Sequence, residues 1–332
     1  MRHAEIRASP QAGSPTLGAM PQPAIIVPAD PLAPRRPDPH FALEARTVRE
    51  LGGDVVLLDH DALLGGDAKE AVRRVPRGRG PLWYRGWMVP SDAYADLGEA
   101  LAARDCTLLT TPAGYRSAHE LPGWYGVFEG ATPNSVWLPC TSPGAPPDAA
   151  ALAGAAELLG GRGPAVVKDY VKSRKHEWAE ACFVPDLADP AGLGRVVARF
   201  VELQGDDLAG GVVLRRYEEF VRDDGGRAEE ARVWWLDGEA VLVGPHPDTP
   251  QLAAVPDLTA VRPLVRALGC RFVTTDLARR AGGNGTGSGT RTGGGNDDDG
   301  RQWRVVEVGD GQVSELPRGA DLAALLSALL AA

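Results

Sequence analysis

The feature that most constrains this chain is a stretch near its C-terminal end, QWRVVEVGDGQVSELP, which runs from Gln302 to Pro317. Its side chains alternate in character, and a period of two predicts a half-buried strand with Trp303, Val305 and Glu307 on one face. A Gly-rich turn follows the strand. A carboxylate at the exit of a strand is well placed to hold a metal ion, because hard divalent cations bind oxygen ligands.

A second strand that ends in an acid is predicted upstream, from Arg271 to Asp276. Alternation puts Phe272, Thr274 and Asp276 on one face. If the two strands pair as an antiparallel hairpin, Asp276 and Glu307 point to the same side, since cross-strand neighbours share a face. Two convergent carboxylates suit Mg²⁺, which shares its oxygen ligands with nucleotide phosphates. The alternative is a pair of solvated acids at strand ends.

Length, composition and charge limit the class of protein. With 332 residues, of which 44% are hydrophobic and 24% charged, the chain is long enough for two cores, so two domains are predicted. The net charge of −9 argues against nucleic-acid or anionic-membrane binding, which needs an excess of Lys and Arg. The basic run from Arg73 to Arg79 contains Pro and Gly and is interpreted as a solvated loop. No apolar run is long enough to predict a membrane span.

The N-terminal residues and the cysteines bear on the compartment. Residues 1–23 are rich in Ala, Pro, Gly and Ser and lack the apolar core of a signal peptide, so a disordered arm is predicted there. The four cysteines form no C-x-x-C pair, and they are interpreted as small buried hydrophobes in a reducing compartment. These features predict a cytoplasmic protein without a zinc site, although a disulfide between two cysteines stays open.

Residues 24–140 are predicted to form a first domain with a small open sheet. An apolar run from Ala24 to Val27, a helical pattern from Phe41 to Leu51 and an apolar run from Asp54 to Asp59 make a β-α-β alternation. Ser91 is a plausible N-cap for a further helix. The stretch from Pro112 to Pro139 is dense in Pro, Gly and aromatic residues. It is interpreted as a packed loop, with a substrate-facing wall as the alternative.

A Pro- and Gly-rich linker, Thr141 to Pro147, is predicted to separate this domain from a second one over residues 148–332. Residues 281–300 are of low complexity and predict a flexible Gly-rich insertion at a hairpin tip. The insertion lacks the G-x-x-x-x-G-K-[ST] pattern of a phosphate-binding loop. Helical spacing in the second domain predicts four helices, over Asp148–Gly160, Ala191–Leu203, Asp257–Leu268 and Leu322–Leu330.

Lys168 lies within an apolar strand, PAVVKDY, which a polar and basic loop follows. Burying an ammonium group is costly unless an anion lies beside it, and phosphate is one such anion. The alternatives are that Lys168 points to water, or that it pairs with a carboxylate such as Asp169 or one on another strand. These residues alone leave the three possibilities open.

A hairpin is predicted further on, because Asp237-Gly238 is a strong two-residue turn signal between two apolar runs. Alternation puts Glu230, Arg232 and Trp234 on one face of its first strand. Charges at the start of a strand are often plain surface ion pairs, and that alternative remains.

The order of these parts resembles the ATP-grasp superfamily, and within it the clade marked by two arginines and a lysine. The resemblance is carried by VVKDYVKSRKHEW, VVLRRYEEF, EEARVWWLDG, TTDLA and WRVVEVGDGQVSELP, which together span roughly residues 164–317. Residues 24–140, with YRGWM, are similar to the domain that precedes the ATP-grasp domain in such proteins. The resemblance implies an α/β (α+β) protein, with an N-terminal αβα pre-ATP-grasp domain and a C-terminal ATP-grasp fold.

The resemblance also implies roles for the cationic residues. Lys168 falls on the lysine that contacts ATP phosphates, and Lys175 is a helper from the mobile loop. Arg215 falls on the first clade arginine and is implied to be catalytic. Arg216 and Glu218, at the charged end of the same strand, are implied to bind the nucleotide.

The hairpin and the two acidic strands complete the implied site. Glu230 is implied to bind the nucleotide, and Arg232 is the implied second catalytic arginine, placed for the γ-phosphate or the acyl phosphate. Asp276 and Glu307 match the Mg²⁺ ligands of the family. The usual family ending is Glu-x-Asn, whereas Gly309 stands in the Asn position here. The expectation is that Asp310 supplies the third metal ligand instead.

The implied activity is ATP-dependent ligation of a carboxylate and an amine through an acyl phosphate, with ATP and Mg²⁺. The carboxylate is expected to belong to a small molecule or a peptide, and the sequence does not predict the oligomeric state. Because Gly309 departs from the family pattern, a nucleotide-binding or interaction module without ligase activity is the main alternative. A kinase that stops at a phosphorylated product is a third.

Overall fold

The structure is a computed structural model. It describes residues 22–140, 144–222, 228–247, 249–250, 254–281, 303–317 and 319–332. Most of the predicted N-terminal arm, the start of the predicted linker and nearly all of the predicted Gly-rich insertion lie outside the described residues.

The first part of the chain forms a three-layer αβα arrangement, with a five-stranded sheet in the middle. Its elements are β1 (Ala24–Asp30), β2 (Ala33–Pro37), α1 (Ala42–Glu50), β3 (Val55–Leu58), α2 (His60–Leu64), α3 (Ala68–Ala71), β4 (Pro81–Tyr84), α4 (Ser91–Ala102) and β5 (Thr107–Leu108). Strands β3, β1, β4 and β5 are parallel in that order, and β2 joins β1 antiparallel. Val56 packs in the cluster that includes Leu97 of α4, while Ile25 packs in the cluster that includes Val48 of α1. Helices therefore cover both faces, as the β-α-β alternation predicted.

The packed loop predicted between Pro112 and Pro139 is wrong, because the segment contains two helices and a strand. These are α5 (Pro112–His119), α6 (Leu121–Phe128) and β6 (Ser135–Pro139). The hydroxyl of Thr111 accepts a hydrogen bond from Gly114 N, and Pro112 lies in the first turn, where a proline costs no helical hydrogen bond. A Cβ at Gly123 would lie 2.7 Å from Ser117 Cα, so glycine allows α5 and α6 to approach closely.

The rest of the chain builds two antiparallel four-stranded sheets. Its elements are α7 (Ala149–Leu158), β7 (Ala165–Lys168), β8 (Phe183–Val184), α8 (Pro190–Gln204), β9 (Gly211–Arg216), β10 (Glu230–Leu236), β11 (Glu239–Pro245), α9 (Arg262–Leu268), β12 (Phe272–Arg279), β13 (Trp303–Asp310) and α10 (Leu322–Ala331). One sheet has the order β6-β9-β7-β8 and the other β11-β10-β12-β13. Strand β6 falls within the residues predicted for the first domain, yet it pairs with β9.

Local chemistry explains where several of these elements begin and turn. Asp148 caps α7 by accepting a hydrogen bond from Ala151 N. Helix α9 begins at Arg262, later than predicted, because Asp257 forms a turn with Thr259 N and the helix starts with Pro263 in its first turn. Asp237 and Gly238 have φ of 50° and 79°, the left-handed conformation that a tight two-residue hairpin turn requires, which confirms the predicted hairpin.

The pairing of β12 with β13 brings Asp276 opposite Glu307, as predicted. A bulge shifts the register just after this pair, so that Leu277 lies opposite Val305. The predicted shared face of Val305 and Glu307 is therefore wrong. Val305 packs with Val308 in the buried core cluster on one face, while Glu307 points to the other.

The C-terminal helix α10 returns to the first sheet. Leu326 and Leu329 are fully buried, and the indole nitrogen of Trp83 in β4 donates to Leu329 O at 2.8 Å. The four cysteines are free. Among the described residues, no helix is both long enough and apolar enough to cross a membrane.

Candidate active site

The first component of the candidate site is an ion pair that joins the two antiparallel sheets. Lys168 Nζ on β7 lies 2.6 Å from Glu307 Oε2 on β13. Lys168 is only 3% exposed. Burial lowers the pKa of Lys168, and the charge of Glu307 opposes that shift only in part. The sequence left three possibilities open for Lys168. The structure shows one of them, an ion pair with a carboxylate on another strand.

Arg215 lies on the same face of the sheet as Lys168. Arg215 is the cross-strand partner of Val166, and Val166 and Lys168 are two residues apart on β7. Its guanidinium donates to Val306 O on β13 and to the side chain of Ser135, 3.0 Å away. Its Cζ lies 5.5 Å from the ring centroid of Trp124. Burial lowers the pKa of Arg215, but arginine begins so high that it stays charged at neutral pH. A second fixed cation therefore lies next to the Glu307 strand.

The third component is a row across three adjacent strands, in which Arg232, Asp276 and Glu307 are direct cross-strand neighbours. Arg232 binds Asp276 with two parallel hydrogen bonds, from Nε at 2.7 Å and from Nη2 at 2.8 Å. Burial favours the protonated form of Asp276, but the charges and hydrogen bonds of Arg232 and His246 outweigh it and lower the pKa. Asp276 is consequently an anion at any physiological pH.

His246, which the sequence analysis did not select, lies beside this row. Its Nε2 is 2.9 Å from Arg232 Nη2, and its ligand atom and those of Glu230 and Asp276 all lie within 4.8 Å of one another. Burial, and then the charge of Asp276, raise the pKa of Glu230. Counting back from the Asp237-Gly238 turn would have put residue 245 opposite Glu230. A bulge at Val241 in β11 shifts the register by one, so that His246 N donates a hydrogen bond to Glu230 O.

A cavity of about 340 Å³ lies at the end of β9, and Lys175 is one of its lining residues. Trp178 and Phe183 stack with ring centroids 5.2 Å apart, and Tyr217 meets Phe183 edge-on at 5.4 Å. Arg222 completes the lining. The cavity joins an aromatic wall to two cationic side chains, which suits a planar anionic ligand such as a nucleotide.

The structure does not bring two of the predicted nucleotide-binding residues into this cluster. Arg216 points to the opposite face of the sheet, where its guanidinium donates to the backbone oxygens of Leu159 and Arg162. Glu218 forms a bidentate ion pair with Arg304, with both distances 2.9 Å. Both side chains are engaged in contacts that hold the fold.

Asp310 also lies apart from Asp276 and Glu307. It pairs with Val273 on β12, so it is on the other face of the sheet. Its carboxylate is fully buried and accepts hydrogen bonds from Gln312 N at 2.9 Å and Gln312 Nε2 at 3.0 Å. Burial raises its pKa to about 7. A carboxylate that is enclosed in this way does not converge with the two predicted metal ligands.

The space next to Gly309 holds two hydroxyl groups. A Cβ built on Gly309 would lie 3.0 Å from Thr274 Oγ1 and 3.6 Å from Ser314 Oγ. The two hydroxyl oxygens are themselves 2.7 Å apart. Thr274 precedes Asp276 by two residues on the same strand and therefore shares its face. Oxygen atoms are thus available on the site face where a longer side chain at position 309 would project.

Comparisons with known proteins agree with this architecture. The model of the ATP-grasp domain, R2K clade family 3, matches residues 158–286 and 294–329. A search of curated proteins gave no significant match. A RimK domain ATP-grasp protein from Sphaerobacter thermophilus is 14% identical, with a TM-score of 0.55 over 93% of this chain and 100% of that one.

Two further solved structures have the same fold. The D-cycloserine synthetase DcsG is 16% identical, with a TM-score of 0.54 and coverage of 92% of this chain and 99% of that one. The ATP-grasp ligase PsnB, in complex with a phosphomimetic variant of its minimal precursor, Mg and ADP, is 12% identical, with a TM-score of 0.52 and coverage of 94% and 99%. The matched family model shows that this chain is a member of the ATP-grasp superfamily.

Proposed function

We propose that the protein is an ATP-dependent carboxylate-amine ligase that forms an amide or peptide bond through an acyl phosphate. The observation that carries this proposal is the convergence of Lys168, Arg215 and Arg232 on the two strand carboxylates Asp276 and Glu307. Phosphoryl transfer depends on cations and metal-binding oxygens that are fixed in advance around the phosphate, and this arrangement of cationic side chains and carboxylates supports such a role.

The donor set fits Mg²⁺. Asp276 and Glu307 are adjacent carboxylates on one face, and each forms an ion pair with a neighbouring cationic side chain. These two residues would hold the ion, and the hydroxyls of Thr274 and Ser314 offer further oxygens. When bound, Mg²⁺ neutralises charge on the phosphoryl oxygens. Asp310 is left out of this proposed set because it faces the opposite side of the sheet.

The proposed roles of the cations follow from their positions. Lys168 and Arg215 bind the ATP phosphates, since both are buried side by side next to Glu307. Arg232 binds the γ-phosphate and then the acyl phosphate, with Glu230 on the same strand face. Lys175 binds the nucleotide from the aromatic cavity at the end of β9.

The proposed reaction has two steps. A substrate carboxylate oxygen attacks the γ-phosphorus of ATP, the bond to the β-phosphate oxygen breaks, and ADP leaves. A neutral amine nitrogen then attacks the acyl carbon, the bond from that carbon to the phosphate oxygen breaks, and inorganic phosphate and one proton are released. The cationic site stabilises the charge that gathers on oxygen in both steps.

The carboxylate and the amine are proposed as small-molecule or peptide groups, in a cytoplasmic enzyme. The structure of PsnB contains a precursor, and DcsG is a synthetase of a small molecule, so both substrate sizes occur on this fold. The experiment is to measure ADP release against a panel of carboxylate and amine pairs. ADP formation that requires both partners supports the ligase, and we expect Lys168→Ala to reduce it by about 10²–10³-fold.

A non-catalytic nucleotide-binding module is the second candidate, and two observations favour it. Gly309 lacks the side chain that the family carries at this position, and Arg232 occupies both oxygens of Asp276. This candidate predicts ATP binding without ADP formation by any pair of substrates. ADP release that depends on an amine would eliminate it.

A further inference from the structure

The proposed function gives Asp276 two partners that compete for the same carboxylate. Arg232 binds both of its oxygens, from Nε at 2.7 Å and from Nη2 at 2.8 Å. Mg²⁺ also needs carboxylate oxygens as ligands, and a dication close to a guanidinium group repels it. Binding of the ion at Asp276 would therefore weaken the ion pair, and Arg232 needs another contact if its side chain is to stay in the site.

Two uncharged acceptors also contact Arg232. Nε2 of His246 lies 2.9 Å from Nη2, and the backbone oxygen of Glu315 lies 3.4 Å from Nη1. A guanidinium group has N–H donors and no acceptor, so Nε2 of His246 accepts the hydrogen bond at the shorter contact. A distance of 2.9 Å is within the usual range of a hydrogen bond, whereas 3.4 Å is beyond it. His246 thus makes the stronger of these two neutral contacts.

His246 is held in place through its own backbone. Its N–H donates to Glu230 O at 3.1 Å, which extends the pairing of β10 with β11, and its carbonyl oxygen accepts a hydrogen bond from Thr249 N at 2.9 Å. The residues on either side are Pro245 and Pro247, and a proline has a fixed φ. The side chain is only 7% exposed. The imidazole is therefore fixed before any ligand binds.

Strand alternation explains why the imidazole lies beside Arg232. Gly244 is directly opposite Arg232 in the β10–β11 pair, and His246 follows it by two residues, so His246 lies on the face of Arg232. Gly244 has no side chain, and a Cβ there would lie 3.0 Å from Pro317 Cγ. The space next to Arg232 is therefore left to its diagonal neighbour, His246.

A role for His246 as a metal ligand is less consistent with these contacts. The ligand atoms of Glu230, His246 and Asp276 lie within 4.8 Å of one another, as in a metal site. However, Nη2 of Arg232 lies 2.9 Å from His246 Nε2 and 2.8 Å from Asp276 Oδ2. The cation that joins these two atoms is the guanidinium itself, and an ion between them would have to displace it.

A neutral acceptor has an advantage over a second carboxylate at position 246. A carboxylate would form a charge-assisted pair with Arg232 and would itself attract Mg²⁺. An imidazole nitrogen fixes the direction of the guanidinium group but leaves its positive charge uncompensated, and that charge is then available to a phosphate. A histidine therefore allows Arg232 to exchange Asp276 for a phosphate without leaving the site.

We propose that His246 is a positioning residue, which retains Arg232 through Nε2 when Mg²⁺ binds Asp276 and so directs the guanidinium group to the γ-phosphate. The inference rests on the proposed ligase function and deepens it, because it assigns the residue on which the role of Arg232 depends. His246 itself touches neither substrate in this role. Its effect is confined to a nucleotide that has a γ-phosphate, and ADP lacks one.

The test uses the full-length protein with Mg²⁺ and measures by calorimetry the affinity for AMPPNP, a non-hydrolysable analogue of ATP, and for ADP. His246→Leu removes the acceptor and keeps a side chain of similar size. His246→Gln keeps an acceptor, because its amide oxygen reaches about as far as Nε2. His40→Leu makes the same substitution at an exposed histidine in the first part of the chain and is the control.

We expect His246→Leu to weaken AMPPNP binding by about tenfold or more, since a hydrogen bond to a charged group is lost, and to change ADP binding by less than about twofold. His246→Gln should recover most of the AMPPNP affinity, and His40→Leu should match the wild type. Equal losses for AMPPNP and ADP would indicate a structural role and overturn the proposal. Unchanged AMPPNP affinity in His246→Leu, or equal losses in the Leu and Gln variants, would also overturn it.

Failure of the proposed function has a different signature, because the wild-type protein alone reports it. A wild type that binds neither nucleotide in the presence of Mg²⁺ would contradict the nucleotide site and the role of His246 together. A wild type that binds both nucleotides, with the same affinities in His246→Leu, would contradict the role of His246 alone.

Discussion

At the scale of single residues, the candidate site is organised by buried charges that compensate one another. Lys168 would be costly to bury alone, and Glu307 lies 2.6 Å away from it. Asp276 is held by Arg232 in the same manner, on the adjacent strand. Each acid is paired with a cationic side chain in the protein alone, so the proposed binding of Mg²⁺ and phosphates would exchange one charged partner for another.

The hydroxyl pair beside Gly309 leads to a first prediction. If Thr274 and Ser314 supply oxygens near the metal, Ser314→Ala should weaken Mg²⁺-dependent ATP binding by about tenfold, the lower end of the effect of removing a supporting group at a metal site. Gly309→Asn in the Ser314→Ala background should recover affinity, because an amide oxygen then enters the same space. Calorimetry at several Mg²⁺ concentrations measures both effects. Unchanged Mg²⁺ dependence in Ser314→Ala would remove the hydroxyls from the site.

Asp310 gives a second prediction, on stability against pH. Burial raises its pKa to about 7 from an ordinary value of 3.8. Between these values the folded protein holds a proton that the unfolded chain lacks, so this contribution to stability is full below pH 3.8 and is lost as pH rises through about 7. Relative to Asp310→Asn, the wild-type unfolding free energy should fall by about 1.4 kcal/mol per pH unit in that window. Urea denaturation from pH 4 to 8 measures it, and parallel curves would contradict it.

At the scale of secondary-structure elements, the sequence predicted the strands and their pairing but not the β-bulges within them. The turn at Asp237-Gly238 and the pairing of Asp276 with Glu307 follow from local residue chemistry and alternation, and the structure confirms both. Bulges insert a residue without a sequence signature. For that reason the predicted face of Val305 was wrong, and the position of His246 was not predicted.

Two helices that begin with proline and glycine were predicted as a loop. Pro112 and Pro122 lie in the first turns of α5 and α6, and the same residues in isolation signal a loop. The roles of Arg216 and Glu218 depend on which side of a strand end each faces, and that is determined by distant partners such as Arg304. Local sequence patterns do not predict contacts between residues that are so far apart in the chain.

The segment before β8 supports a third prediction, on nucleotide affinity. Trp178 is 39% exposed and stacks on Phe183 at the wall of the cavity that contains Lys175. Stacking of a base on an aromatic side chain contributes about 1–3 kcal/mol, so Trp178→Ala should raise the Kd for ATP by about tenfold. Leu158→Ala, at an apolar side chain that is 77% exposed on α7, is the control. Equal ATP affinity in both variants would place the base elsewhere.

At the scale of the whole molecule, the first sheet and the candidate site are joined by a buried arginine. Arg85 on the exit of β4 forms a bidentate ion pair with Glu44, with both distances 2.8 Å, and donates to Gly311 O and Gln312 O just beyond β13. Helix α10 makes a second connection through Trp83. The strand that carries Glu307 is therefore anchored to the N-terminal sheet.

This connection gives a fourth prediction. Arg85→Gln leaves Glu44 buried without its cation, and breaking a buried pair in this way costs about 3–5 kcal/mol of unfolding free energy. Arg46→Gln, which removes an exposed pair with Glu50, should change stability by less than about 1 kcal/mol. Urea denaturation monitored by tryptophan fluorescence compares the two. A similar small effect of both substitutions would show that Arg85 does not hold the two parts together.

The most direct test of the central claim is calorimetric titration of ATP into the purified protein with and without Mg²⁺, in wild type, Glu307→Gln and Glu239→Gln. Glu239 forms exposed ion pairs and is the matched control. The account predicts ATP binding that Mg²⁺ strengthens in the wild type and in Glu239→Gln, and that loses its Mg²⁺ dependence in Glu307→Gln. Binding that is absent, or that depends on Mg²⁺ equally in all three proteins, would contradict the assignment of the site.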